Sequence, residues 1–354
     1  MPSQLTQCNV WQQASGNINR DYADLCIRWS VILNGPGEHG SWPECKAALE
    51  CANKQRKILD LKRFAVEMKP GDIVVLRRGT ASVVAVGQVV AEYEWHDEFG
   101  DIDGWDIQHV RRVHWYWHST KNPKIFPTWA LKQGDTTQHL TSQPILEWIK
   151  TLVLPTSWPT ALPALPVASR STTVAEVSEY LFDQGVAHDS ISHLMSEVGE
   201  IVRIGKCYQP VAGPSEHETV CFLVVPMLRA LGWTPQKMGI EWHHVDVALF
   251  HMLPRSDETL KVVVEAKKMS KSCLSARSQA LNYALGKKAC HRLIVTDGLR
   301  YAIYRESSPG SFDLHAYLNL ARLRNDYPAL ECRGAKEALL SMSPEWNAEI
   351  QTQT

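Results

Sequence analysis

Residues 260–268 read LKVVVEAKK, and this stretch decides how the second half of the chain folds. Side chains alternate along an extended segment, so Val263, Glu265 and Lys267 share one face while Val262, Val264 and Ala266 share the other. A carboxylate and an ammonium group therefore leave together from the end of a strand that is otherwise apolar. Just upstream, residues 243–250 read HHVDVALF, a second apolar strand that sets Asp246 on the face opposite Val245, Val247 and Leu249. If the two strands pair as a hairpin, Asp246 and Glu265 converge within reach of one ion.

Two carboxylates suit Mg²⁺, which takes hard oxygen ligands and keeps several water positions open. A lysine beside them can orient a water or neutralise charge that develops on a phosphate. The bland alternative is a strand-edge ion pair with Asp246 in water. Against it, charged groups at the end of a buried β-branched strand are costly unless paired or metal-bound.

Around this centre the pattern predicts a helix over 215–231 closed by Gly232, strands at 239–253 and 260–267, and a helix over 272–286. Strands at 292–296 and 301–305 follow, joined by Asp297-Gly298. That order is an α/β core. Upstream, Val174, Val177 and Leu181, then Ile191, Leu194, Met195, Val198, Ile201 and Val202, repeat at helical spacing and predict a helical pair. Its expected role is a spacer or a dimer surface. Residues 155–173 carry prolines at 155, 159, 163 and 166, which block helix and central strand and predict a stiff linker.

The first half is a different object. Ten of the thirteen tryptophans lie at or before Trp158. MKPGD, IVVLRRG and VVAVGQVVAEYEW within residues 68–95 read as a turn and two strands, VRRVHWYW (110–117) as a further strand, and residues 45–64 as helix. Gly79 and Gly87 interrupt the β-branched runs as the turns and bends of a small barrel require. The predicted fold is thus α+β in two domains: a small β-barrel with flanking helices over 1–150, a linker over 151–173, helices over 174–213, an α/β core over 214–318 and a helical tail over 319–354.

Composition excludes several classes. Apolar residues make up 44% and charged residues 21% of the 354, which rules out a largely disordered chain. The net charge is −1, so any basic surface is local; residues 216–306 hold 13 Lys plus Arg against 9 Asp plus Glu. Residues 1–9 are polar, with no basic start and apolar run, and the apolar stretch at 221–233 is broken by Pro226 and Arg229. No signal peptide and no membrane span are expected, and a bacterial or archaeal cytoplasm is. Nine cysteines without a CxxC pair fit neither a disulfide framework nor a zinc site.

The runs ETVCFLVVPMLRALGW, EWHHVDVALF, VVVEAKK, QALNY and LIVTDGLRYAIYR, in that order, resemble the PD-(D/E)xK nuclease superfamily. They are most similar to the N-terminal nuclease domain of type I restriction motor subunits. The resemblance implies a restriction-endonuclease-like core, with Asp246 and Glu265 as metal ligands and Lys267 as catalytic lysine. Gln279 with Tyr283 matches the QxxxY element, and Glu218 the acid that approaches the metal from behind. Glu218 has a second reading as a helix N-terminal acid favoured by the dipole. Val245 stands where the family usually has proline, and no helicase motifs follow. The implied cofactor is Mg²⁺, with Mn²⁺ as a substitute, and Lys268 and Lys271 are candidate phosphate contacts.

In the first half, MKPGDIVVLRRG…VVAVGQVVAEYEW and GWDIQHVRRVHW resemble PUA-like domains of the EVE/YTH kind, readers of modified bases. Such a reader holds a base among aromatics, where stacking is worth about 1–3 kcal/mol per base. Trp29 and Trp42, flanking the loop Asn34-Gly35-Pro36-Gly37, and Trp95 and Trp105, bracketing an acidic loop, are the candidate base-binding residues; core packing is the alternative for each. Trp115 and Trp117, on one strand face, read as core, and Arg111 and Arg112 as candidate phosphate contacts. The combined expectation is a modification-dependent, type IV-like restriction endonuclease of anti-phage defence. It would act as a homodimer on double-stranded DNA carrying a modified base, a cytosine derivative first. A non-cleaving nucleic-acid-binding protein and an RNA-directed nuclease stand as alternatives.

Overall fold

The computed structural model describes residues 8–16, 20–152, 161–167, 170–208 and 213–346. The chain divides into two units, Met1–Ala168 and Ser169–Thr354. Both mix helices with one sheet, as the α+β expectation has it. Pro155 and Pro159 of the predicted linker lie outside the described residues. Pro163 belongs to the first unit, where its carbonyl accepts from Arg112 Nη2. At the linker's other end, Thr172 bonds Leu323 O in the second unit.

The first unit runs β1 Val10–Ala14, α1 Ala23–Arg28, β2 Val31–Asn34, α2 Cys45–Cys51, α3 Gln55–Lys62, β3 Ile73–Arg78, β4 Ser82–Val89, β5 Glu94–Trp95, β6 His109–His118, β7 Lys124–Ile125, β8 Thr137–His139 and α4 Gln143–Thr151. Strand order is β2-β6-β4-β3-β1-β8, with β1 and β3 parallel. The expected small barrel is a curled sheet whose edge strands meet through side chains. Asn34 Nδ2 on β2 donates to Thr137 Oγ1 on β8 at 3.1 Å, and Gln13 Nε2 reaches Leu33 O at 2.7 Å. The helix expected over 45–64 breaks at Ala52–Lys54, where Asn53 turns left-handed at φ 53°, a conformation its short polar side chain tolerates. A register shift against β4 leaves an extra residue in β6 between Trp115 and Trp117. Trp115 Nε1 therefore bonds Cys26 O, while Trp117 packs edge-on against Trp148, and the pair does not share one environment.

The second unit runs α5 Val174–Asp183, α6 His188–Tyr208, α7 Glu216–Thr219, α8 Val225–Ala230, β9 Met238–Trp242, β10 Val245–Phe250, β11 Leu260–Ala266, α9 Arg277–Ala284, β12 Arg292–Thr296, β13 Arg300–Ser308, β14 Ser311–Asn319, β15 Asp326–Tyr327, β16 Cys332–Arg333 and α10 Ala335–Met342. One sheet, ordered β15-β16-β14-β13-β12-β11-β10-β9, carries helices on both faces. Val262, Val264 and Ala266 pack with α6, α8 and α10, while Val263 packs with Ala276, Ala280 and Ala284 on the α9 side. The alternation predicted along 262–267 is the one that builds the core.

Five expectations change. The strand predicted over 239–253 is a hairpin, because His243 and His244 both take positive φ, 48° and 72°, and reverse the chain between β9 and β10. Glu241 also sits at φ 52°, and the distortion turns Val245 into the same core as Ala248 and Phe250 rather than against Val247. The helices of 174–204 are no spacer: Val177, Leu181, Ile191, Leu194, Val198 and Ile201 are buried in the main core. Nor is 319–354 a helical tail, since β15 and β16 extend the sheet and Ala338, Leu339 and Met342 of α10 fill that core. The helix over 215–231 passes through a π-helical turn at Val220–Val224. Pro226 explains it, having no N–H to donate and a ring that collides with the carbonyl four residues earlier.

Gly298, at φ +87°, makes the close β12–β13 connection; a Cβ there would lie 2.6 Å from Leu223 Cδ1 and 3.0 Å from Thr219 Cγ2. Gly298→Ala is expected to cost about 2–3 kcal/mol. Gly310→Ala, at φ +76° with nothing within 4 Å, should cost only about 1 kcal/mol. Thermal melts of the two variants side by side check the difference, and equal melting temperatures would contradict the packing described.

Candidate functional site

The β10–β11 ladder ends with Val247 opposite Val264, and just beyond it the Asp246 side chain reaches across to the end of β11. Asp246 Oδ2 accepts the Ala266 N–H at 2.7 Å, which holds this carboxylate against the strand that carries the other. Glu265 is 1% exposed. Lys267 Nζ lies 3.4 Å from Glu265 Oε1 and donates to Gln279 Oε1 at 3.1 Å. Gln279 Nε2 in turn donates to Tyr283 OH at 3.4 Å, one turn along α9. Asp246, Glu265, Lys267, Gln279 and Tyr283 are therefore brought together on the α9 side of the sheet.

The electrostatics are unbalanced. Burial first, and then the Asp246 charge, push the Glu265 carboxyl up to about 7 against the pull of Lys267; Glu216 adds to the rise. Glu265 Oε2 is buried with no hydrogen-bond partner among the described residues. A buried oxygen without a donor, beside a second acid, fits a hard divalent cation. Among the described residues no group of three or more His, Cys, Asp or Glu could hold a metal ion. Asp246 and Glu265 are two carboxylates, and Mg²⁺ commonly takes one or two from a protein with water and phosphate as the rest.

Glu218 is placed differently. It closes a capping box with Ser215, accepting the Ser215 N–H at 2.6 Å, and these hydrogen bonds hold its carboxyl below the usual range. It serves the helix end, and Glu216 is the acid of that turn whose charge bears on Glu265. The sequence reading missed Glu216; the cap signature Ser-x-x-Glu at 215–218 was the signal that Glu218 was already committed. Lys268 is half-buried and Lys271 exposed, both on the segment that leaves β11. His243 and His244 are exposed at the β9–β10 turn.

In the first unit, Arg111 is not a phosphate contact. It is fully buried, donating from Nε to Phe64 O at 2.6 Å, from Nη2 to Ala65 O at 3.0 Å and from Nη1 to Ala91 O at 3.1 Å. The π-helical turn at Arg63–Glu67 leaves terminal carbonyls that need donors, and Arg111 supplies them. Arg112 is half-buried and tied to Pro163 O.

The four candidate tryptophans have different surroundings. Trp29 ends α1, Trp42 packs on the α2–α3 core, and Trp95 Nε1 donates to Gly37 O at 3.1 Å. Of the four, Trp105 lines a cavity of about 340 Å³, with Tyr22, Glu38, Lys57, Asp106 and Thr136 among its other walls. Beneath it the buried Asp60 accepts from Lys57 Nζ at 2.6 Å and from Thr137 N at 2.8 Å. Lys57 and Asp60 are an i,i+3 pair on α3, and the partners that give the pair its place, Asn34, Thr136 and Thr137, lie far along the chain.

Among the described residues no helix is long and apolar enough to cross a membrane. Residues 15–136 match a family described as a domain of unknown function (DUF8426), a match confined to the first unit. No curated protein and no solved structure matches the chain.

Proposed function

We propose that the chain is a modification-dependent endonuclease: a PUA-like first unit reads a modified base in double-stranded DNA, and a PD-(D/E)xK-type second unit hydrolyses a phosphodiester with Mg²⁺. The observation that carries the hydrolytic half is the meeting of Asp246, Glu265 and Lys267, with Gln279 steadying the lysine. Asp246 and Glu265 would hold the cation. When bound there, Mg²⁺ supplies Lewis-acid polarisation of a phosphoryl oxygen and acidifies water.

The remaining work falls to the chain's own groups. Lys267, held by Gln279 and Glu265, keeps an ammonium where negative charge develops on the phosphate and where an attacking water needs orientation. Tyr283 fixes Gln279, and the Ala266 amide fixes Asp246. The apolar β-branched strand beneath keeps water away from one side of the site, which strengthens each of these interactions. One such site cuts one strand at a time, so duplex cleavage calls for two chains acting together.

Supercoiled plasmid with and without modified cytosine, incubated with Mg²⁺, tests the whole reading. Cleavage is expected on the modified substrate, falling about 10²–10⁴-fold in Asp246→Asn and Lys267→Ala. Equal rates on the two plasmids would remove the reader, and an undiminished Lys267→Ala would remove the lysine's role. Binding without any cleavage would leave a non-cleaving nucleic-acid-binding protein.

The raised Glu265 carboxyl gives a second test. It titrates near 7 in the folded chain against 4.5 ordinarily, so its contribution to stability is complete below about pH 4.5 and lost as the pH rises through 7. Without divalent metal, Glu265→Gln should be more stable than the parent at pH 8, on the order of 2 kcal/mol, with most of that difference gone at pH 5. Mg²⁺ should then raise the parent's melting temperature at pH 8 and leave the variant unmoved. A variant less stable than the parent at both pH values would show that Glu265 is an ordinary ion-pair member.

A further inference from the structure

We infer that Asp297 is a positioning residue of the second unit: it holds the turn that leaves β11, so that Lys268 and Lys271 meet phosphates of the strand lying in the site. The inference rests on the hydrolytic half of the function proposed above and adds how the substrate is held there.

Asp297 is fully buried at the β12–β13 connection, and its hydrogen bonds divide between two tasks. Oδ1 accepts the N–H groups of Leu299 and Arg300 at 3.1 and 2.7 Å, which shapes the connection itself. Oδ2 accepts from Arg300 Nη1 at 2.7 Å, which balances the buried charge, and from the Ser270 N–H at 3.1 Å. The Ser270 bond alone among these leaves the connection, reaching a turn 27 residues earlier in the chain.

That turn needs a hold. Lys271 N bonds Lys268 O at 3.0 Å, closing a four-residue turn whose third residue, Ser270, sits at φ 68°. Glycine is the ordinary occupant of such a position, and a residue with a Cβ is strained there by about 1–2 kcal/mol. Two more bonds brace the same segment. Lys267 N bonds Thr296 O at 2.7 Å, and Met269 N bonds Thr219 Oγ1 at 3.3 Å. Thr219 is itself buried and belongs to α7. The end of β11, the β12–β13 connection and the helix that carries Glu216 are thus joined through the backbone N–H groups of one short segment.

What the turn presents is charge. Lys268 is half-buried and Lys271 exposed, and among the described residues neither forms an ion pair. Lys268 acts through space on Glu218, whose carboxyl it helps to hold down after the Ser215 hydrogen bonds. The other acids nearby are Asp297, balanced by Arg300, and Glu216, Asp246 and Glu265 at the site itself, where a divalent cation offsets them. A lysine is a point charge on a flexible stem, so the place of its backbone decides which phosphate it meets. Lys268 and Lys271, on a braced backbone just past Lys267, suit the phosphates beside the scissile one.

Fluorescence anisotropy of a labelled duplex with the full chain, read over a range of salt, tests this; the Asp246→Asn background keeps cleavage slow. The slope of log affinity against log salt counts phosphate contacts, at about 0.9 per contact. Lys268→Ala with Lys271→Ala should lower its magnitude by about 2, and Asp297→Asn by about 1, equally on modified and unmodified duplex. Adding Asp297→Asn to the lysine pair should lower it no further. In the cleaving chain, Asp297→Asn should raise KM about tenfold and leave kcat within a few-fold. An Asp297 that serves folding alone would lower the melting temperature and leave the slope of the folded chain at the parental value, which overturns the inference. So does an unchanged slope in the lysine double variant, whose changes lie at the surface, or a chain that binds no duplex. The two readings fail separately. Slopes that fall as stated in a chain that never cuts sink the hydrolase alone; cleavage lost in Lys267→Ala beside an unchanged slope in Asp297→Asn sinks the positioning role alone.

Discussion

Two acids at the end of one hairpin set the terms for the second unit. The Asp246 charge raises the Glu265 carboxyl, second to burial. Burial of Glu265 adds a desolvation penalty, and Lys267 offsets only part of it, since Glu265 Oε2 keeps no donor. A purely structural ion pair would account for Lys267 and Glu265. Asp246 also satisfies the N–H of buried Ala266, and that bond holds its charge where it raises the Glu265 carboxyl. An arrangement uphill in the metal-free chain becomes favourable once a divalent cation joins it, and that asymmetry is the physical case for a metal-dependent site.

What the sequence reveals of this site is what local periodicity can carry. Alternation along 262–267 reads correctly because both faces of β11 are buried, so parity alone assigns each side chain. The convergence of Asp246 with Glu265 follows from the same parity once the strands pair. The His243-His244 reversal carries no such signal, since turns with two positive φ values ordinarily advertise themselves with Asn or Gly. The packing of α5, α6 and α10 into the main core was equally hidden. An amphipathic helix shows that it has an apolar face, never which surface covers it.

The first unit shows the opposite imbalance between composition and role. Its wealth of aromatics suggested a cage, yet aromatic identity does not tell a wall from a core, and Trp42, Trp95, Trp115 and Trp117 are engaged in packing or in bonds to backbone carbonyls. The same holds for charge. Arg111 and Arg112 are adjacent, but alternation turns Arg111 inward to the carbonyls that a π-helical turn exposes. Asp60 and Lys57 acquire meaning only when α3 is laid beside β2 and β8, contacts that span 23 to 79 residues. In the loop Asn34-Gly35-Pro36-Gly37 the glycines suggested close approach to a ligand; what Gly35 comes close to is the backbone of Asp106, far along the chain.

Departures from local rules are themselves informative in the second unit. The hairpin that carries Asp246 holds Glu241, His243 and His244 at positive φ, where side chains with a Cβ are strained. The helix that carries Glu216 runs into a π-helical turn, a less stable form than the α-helix it interrupts. The strand that carries Glu265 ends in a buried, under-bonded carboxylate. Each departure costs free energy on its own, of order 1–3 kcal/mol for a strained backbone or a polar group without a partner. All three elements bear on the same pair of acids. The unit holds other departures, Glu331 at φ 56° and Arg292 Nε buried without a hydrogen-bond partner among the described residues, so strain alone does not mark the site; a buried, under-bonded carboxylate raised by a second acid does.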